Sequence, residues 1–86
     1  MTYKIIIHQN AAKKFTHSNK NLKRRLRRAI DNISQNPYFN VHVRKLKGKL
    51  SNMHRYRIGD IRIIYEIHEE IKAVRIKSIE ERGDIY

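Results

Sequence analysis

Cysteine is absent from the 86 residues, which rules out a disulfide framework and any thiolate metal site and suits a reducing compartment. Long apolar runs are missing as well. The start, "MTYKIIIHQNAAKK", offers one run of three isoleucines, short of a secretory core and far short of the roughly 18 apolar residues of a membrane span. Glycine occurs only at 48, 59 and 83, each reading as a turn residue, so no glycine-rich phosphate loop is formed. The five histidines (His8, His17, His42, His54, His68) are scattered without metal-ligand spacing. His54 stands out only because it begins the central hairpin. These absences lead to an expectation of one soluble, cytoplasmic domain over residues 1–86, with no metal, no cofactor and no membrane. A chain of this length buries enough core to fold alone when its apolar pattern is good.

Acid is also scarce. Lys and Arg number 20 against 8 Asp and Glu, a formal charge of +12. Residues 1–40 carry nine basic residues and one acid, and residues 41–86 carry eleven and seven. Such a balance calls for a polyanionic partner, because each neutralised phosphate releases condensed counterions. An acidic protein would satisfy the same charge.

What is present is periodic. "TYKIIIH" (2–8) predicts a β-strand. "QNAAKKFTHS" predicts a short helix capped by Asn10, with Ala11, Ala12 and Phe15 turned inward. In "NLKRRLRRAIDNISQNP", Leu22, Leu26, Ala29, Ile30 and Ile33 recur at helical spacing until Pro37 ends the pattern. Its outer face carries Lys23, Arg24, Arg25, Arg27 and Arg28. From there the period becomes two. "HVRKLKG" (42–48) predicts a strand, followed by a three-strand meander turning at Gly59-Asp60 and at Glu69-Glu70. The fold class is α+β: an N-terminal strand, a two-helix hairpin, then a twisted antiparallel sheet packed on the helices.

If both turns are two-residue loops, Arg57 lies opposite Arg62, Tyr56 opposite Ile63 and Arg55 opposite Ile64. On the next strand Lys77 then faces Arg62, Ile76 faces Ile63 and Arg75 faces Ile64. Alternation puts Tyr56, Ile58, Ile61, Ile63, Tyr65, Val74 and Ile76 on one face. The other face holds Arg55, Arg57, Arg62, Arg75 and Lys77, with Ile64 among them. Like charges in a cross-strand row destabilise a sheet, so this pattern points to an anion bound there. A generally basic protein also puts arginine wherever water reaches. Phosphoryl chemistry on RNA needs the 2′-hydroxyl deprotonated, the leaving 5′-oxygen protonated and the phosphate charge compensated, which positioned cations supply. Lys45 and Lys47 extend the candidate RNA-binding set. The tail "SIEERGDIY" adds Glu80 and Glu81 as possible bases, and Tyr86 as a base, a stacking ring or an aromatic end that packs.

With "RKLKG", "RYRIGDIRIIYEI" and "ERGDIY" in that order, the chain resembles the RelE/ParE superfamily of toxin–antitoxin toxins over nearly its whole length. The resemblance to RelE-type members implies a metal-independent endoribonuclease that cuts messenger RNA at A-site codons on the ribosome. It carries a catalytic role to Arg55, Arg57, Arg62, Arg82 and Tyr86. The first two are lysines in some relatives, and a guanidinium clamps phosphate without readily exchanging a proton. Glu80 and Glu81 therefore stay open as bases. The ParE-type alternative on the same fold binds DNA gyrase without nuclease activity, and an inactive RNA binder is a third. The implied partners are the ribosome and messenger RNA, together with an acidic antitoxin that folds on binding and forms a hetero-oligomer with the toxin. Arg24, Arg25, Arg27 and Arg28 are candidates for ribosomal RNA phosphates, or simply a solvated helix face.

Overall fold

The computed structural model describes residues 2–46 and 53–81. Strand β1 (Lys4–Ile7) leads into helix α1 (Gln9–Thr16) and helix α2 (Lys20–Gln35), followed by β2 (Val43–Lys45), β3 (Met53–Ile58), β4 (Ile61–His68) and β5 (Ala73–Glu81). The strands form one sheet in the order β1-β5-β4-β3-β2. Pairing is antiparallel except at β1, which runs parallel to β5. Predicted strand 42–48 is observed as Val43–Lys45, and Lys47 lies outside the described residues.

Each helix begins where a side chain takes up an orphan backbone N–H. Asn19 Oδ1 accepts from Leu22 N at 2.8 Å to open α2. Asn10 is not the cap of α1. The ring of His8 takes that place, its Nδ1 accepting from Asn10 N at 3.2 Å, so the helix begins at Gln9. Leu26, Ala29 and Ile33 are fully buried, with Leu22 and Ile30 packed at the margin, as helical spacing requires. Pro37 follows the end of α2 and is buried; its carbonyl accepts from Tyr65 Oη at 2.7 Å.

The first hairpin has the expected register, with Ile58 paired to Ile61, Arg57 to Arg62, Tyr56 to Ile63 and Arg55 to Ile64. Gly59 has φ +56° while Asp60 has a negative φ, the arrangement of a loop that wants glycine at its first position. The second hairpin departs from its expected register. A 3₁₀ turn over Glu69–Ile71 and a left-handed Lys72 lengthen the loop, so that His68 pairs with Ala73 and Tyr65 with Ile76. The ladder then shifts at Ile64/Tyr65, where Ile64 pairs with Ser78 and Lys77 is the extra residue of a bulge. Arg62 consequently faces Glu80 rather than Lys77, Ile63 faces Ile79 rather than Ile76, and Arg75 faces Glu66 rather than Ile64. The bulge returns Ile79 to the helix side, where Tyr56, Ile61, Ile63, Tyr65, Val74 and Ile76 close the core with both helices. The opposite face of the sheet is left open.

Candidate nucleic-acid interface

A three-residue β2 and a two-residue loop between β3 and β4 gather arginine from three strands. Arg44 lies opposite Arg55 on the β2–β3 ladder, and Arg57 lies opposite Arg62 on the β3–β4 ladder. All four occupy open-face positions, because Val43, Tyr56 and Ile63 between them point to the core. Burial, and then the charges of Arg57, Arg44 and Arg62, pull the pKa of Arg55 below its ordinary value. A guanidinium nevertheless stays charged at any ordinary pH. The part of that pull due to the three neighbouring guanidiniums is one an incoming phosphate would relieve.

The cluster is held at its rims. Arg57 Nε donates to Gly59 O at 3.3 Å, drawing that side chain toward the hairpin tip. Arg62 donates through Nε (3.2 Å) and Nη2 (3.0 Å) to Glu80 Oε1. Between them, Val41, His42, Arg44, Arg55, Arg57 and Gly59 line an open hollow with no acidic side chain among them.

The remaining sequence-derived candidates are spread over the molecule. Arg75 is on the open face but beside Ile6 of β1, away from the arginine cluster. Lys77 is the bulge residue, not part of a cationic row. Lys45 lies opposite buried His54 and so falls on the helix side of the sheet. Glu80 and Glu81 point to different faces: Glu81 lies opposite core residue Ile61, and its carboxylate meets Lys14 Nζ of α1 at 2.5 Å. Arg27 stacks over the Phe15 ring at 5.7 Å, whereas Arg24, Arg25 and Arg28 line a separate cleft between α2 and β3. Arg82 and Tyr86 lie outside the described residues.

Two residues of this surface are absent from the sequence-derived set. Arg44 and His42 sit within or beside a strand that the sequence signals correctly, but its facing depends on which strand it joins. His54, by contrast, is a core residue. It stacks on Tyr65 (5.7 Å between centroids, 20° between planes) and meets Tyr38 edge-on at 5.9 Å. Burial, with Lys45's charge second, lowers its pKa and favours the neutral ring.

The model of the family described as "ParE toxin of type II toxin-antitoxin system, parDE" matches residues 5–86. No curated protein matches the chain. Among solved structures, the RelE–RelB complex from the archaeon Pyrococcus horikoshii OT3 contains a chain 30% identical to this one, with TM-score 0.81, covering 96% of this chain and 98% of that one. The toxin–antitoxin complex RelBE2 from Mycobacterium tuberculosis shares the fold at 19% identity and TM-score 0.80, over 95% and 100% of the two chains. The YoeB/ParE toxin from Agrobacterium tumefaciens does so at 12% identity and TM-score 0.80, over 91% and 96%. A five-stranded mixed sheet backed by two helices is thus the shared scaffold, and this chain belongs to the ParE toxin family of type II toxin–antitoxin systems, within the RelE/ParE superfamily.

Proposed function

We propose that the protein is a ribosome-dependent, metal-independent endoribonuclease that cuts messenger RNA in A-site codons and arrests translation in the cytoplasm. The observation that carries this reading is the convergence of Arg44, Arg55, Arg57 and Arg62 on the open face, with the Glu80 carboxylate at its border. The scissile phosphate binds among the guanidiniums and competes with Glu80 for Arg62. Glu80, so released, accepts the proton of the 2′-hydroxyl, and O2′ attacks phosphorus. The bond to O5′ breaks, the leaving oxygen takes up a proton, and a 2′,3′-cyclic phosphate remains. The guanidiniums stabilise the charge that develops on the phosphate oxygens. Glu81, held by Lys14 on the helix side, is the weaker candidate base. Arg82 and Tyr86 are proposed to complete the site from the tail, Tyr86 by stacking or as a base.

The partner in cells is a cognate antitoxin with acidic and apolar segments that fold on binding. The P. horikoshii and M. tuberculosis neighbours, both toxin–antitoxin complexes, support it. A second reading, inhibition of DNA gyrase without RNA cleavage, draws on the match to the ParE model. Toeprinting of a defined messenger on programmed ribosomes separates the two. Cleavage in the A site by the unmodified protein, slowed about 10²-fold or more by Arg62→Ala and by Glu80→Gln, is the expected result. Intact messenger together with loss of gyrase supercoiling would replace the nuclease by the gyrase reading.

A further inference from the structure

The exposed arginines of α2 do not form one solvated stripe. Arg27 and the only acid of the helix, Asp31, line a hollow against β1. Arg24, Arg25 and Arg28 line a cleft on the other flank, closed by Asn32, His42 and Tyr56, with no acidic side chain among the lining residues. Asn32 Nδ2 donates to Tyr56 Oη at 3.0 Å, fixing the floor. The His42 ring is exposed and rests against that of buried Tyr56, 5.2 Å between centroids and tilted by 39°. This cleft adjoins the arginine hollow of the open face. His42 lines both, and Arg25 reaches the hairpin tip, where its Nη2 is 3.2 Å from the point a Cβ on Gly59 would occupy.

We propose that this cleft is a second phosphate-binding site, which takes the continuation of a single-stranded nucleic acid already seated on the open face. The strand crosses the sheet edge at His42, which stacks on one base, and its following phosphates lie against Arg24, Arg25 and Arg28. The inference rests on the open face being a nucleic-acid surface. Arginine alone would equally suit an acidic peptide. The exposed ring at the junction, with arginine and no acid lining the hollow on either side of it, favours a stacked polynucleotide.

The test uses fluorescent 2′-O-methyl oligoribonucleotides, which lack the attacking hydroxyl, with a short probe of about three nucleotides and a longer one of about ten. Anisotropy titrations at several salt concentrations compare the wild type with Arg24→Gln/Arg25→Gln/Arg28→Gln, with His42→Ala, and with Lys4→Gln/Lys13→Gln/Lys20→Gln as a control of equal charge change. All six substituted basic residues are exposed, so the fold is not at stake. The arginine variant is expected to bind the longer probe about tenfold more weakly, with its salt slope reduced by about 2, and to bind the short probe nearly as before. His42→Ala is expected to weaken the longer probe about fivefold. Equal losses in the arginine and lysine variants would overturn the inference. So would displacement of the longer probe by polyglutamate of matching charge with His42→Ala silent, which would assign the cleft to an acidic protein segment. If only the longer probe binds, and through these arginines, the cleft stands and the open-face reading falls. If neither probe binds, both fall.

Discussion

At Gly59 the chain reverses with φ +56°, a conformation in which a Cβ would press on the following carbonyl and approach Arg25 Nη2 at 3.2 Å. Gly59→Ala should therefore cost about 1–2 kcal/mol in urea unfolding, with the slope of the transition unchanged. An unchanged midpoint would mean that the hairpin tip relaxes freely. The arginines flanking this turn are legible in the sequence alone, because a two-residue loop fixes the pairing and a period of two fixes the face. Arg55, Arg57 and Arg62 follow directly. Arg44 does not: alternation says that it opposes Val43, but only the β2–β3 pairing says which side of the sheet that is. That Arg27, a candidate from the sequence, lines a different hollow from Arg24, Arg25 and Arg28 is hidden for a different reason. Helical periodicity separates buried from exposed positions, yet which cleft an exposed arginine lines depends on the neighbouring elements.

The second hairpin shows what an element needs to announce itself. Gly-Asp marks the first turn; the second is Glu69–Lys72, and its left-handed residue is a lysine, φ 50° and ψ 50°, where glycine or asparagine would have been a signal. The bulge at Lys77 has no sequence mark either, and between them these two features exchange a row of three cations for the Arg62–Glu80 pair. Fold class survived because lengthening a loop by two residues preserves which face each side chain takes; the positions of Glu80 and Glu81 did not. The long turn is tied to the rest of the molecule by its carboxylate. Glu69 Oε1 accepts from Tyr3 Oη (2.7 Å) and Tyr38 Oη (2.8 Å), and its other oxygen pairs with Lys72. The hydrogen bond from Lys72, then those from Tyr3 and Tyr38, hold the Glu69 carboxyl at about 2, against an ordinary value of 4.5. A depressed folded-state pKa contributes stability that is fully present above about 4.5 and is lost as pH falls toward about 2. Thermal unfolding followed across that window should show a steeper acid loss in the wild type than in Glu69→Gln, which starts lower at neutral pH and declines less. Parallel curves would show that the carboxylate is not coupled to folding.

For the whole molecule, the charge of +12 means that the folded state works against its own field. Raising salt from about 0.01 M to about 0.15 M shortens the screening length from about 30 Å to about 8 Å. The melting temperature should rise over that range, and about 1 kcal/mol of relieved repulsion would appear as about 4–8 °C. A fall instead would mean that favourable ion pairs outweigh the repulsion. An anionic partner on the open face should act in the same direction as salt, through binding to the native state. The sheet order carries a consequence of another kind. β1 is the first strand made, and its partner is β5, across the whole of the intervening chain. No local contact can complete the sheet, because the entropy of closing that long loop must be met before the pairing is formed. While the protein is being synthesised, β1 therefore has nothing to join until the β5 segment has emerged. Closure of the sheet, and of the core beneath it, therefore waits on a single late pairing instead of proceeding strand by strand.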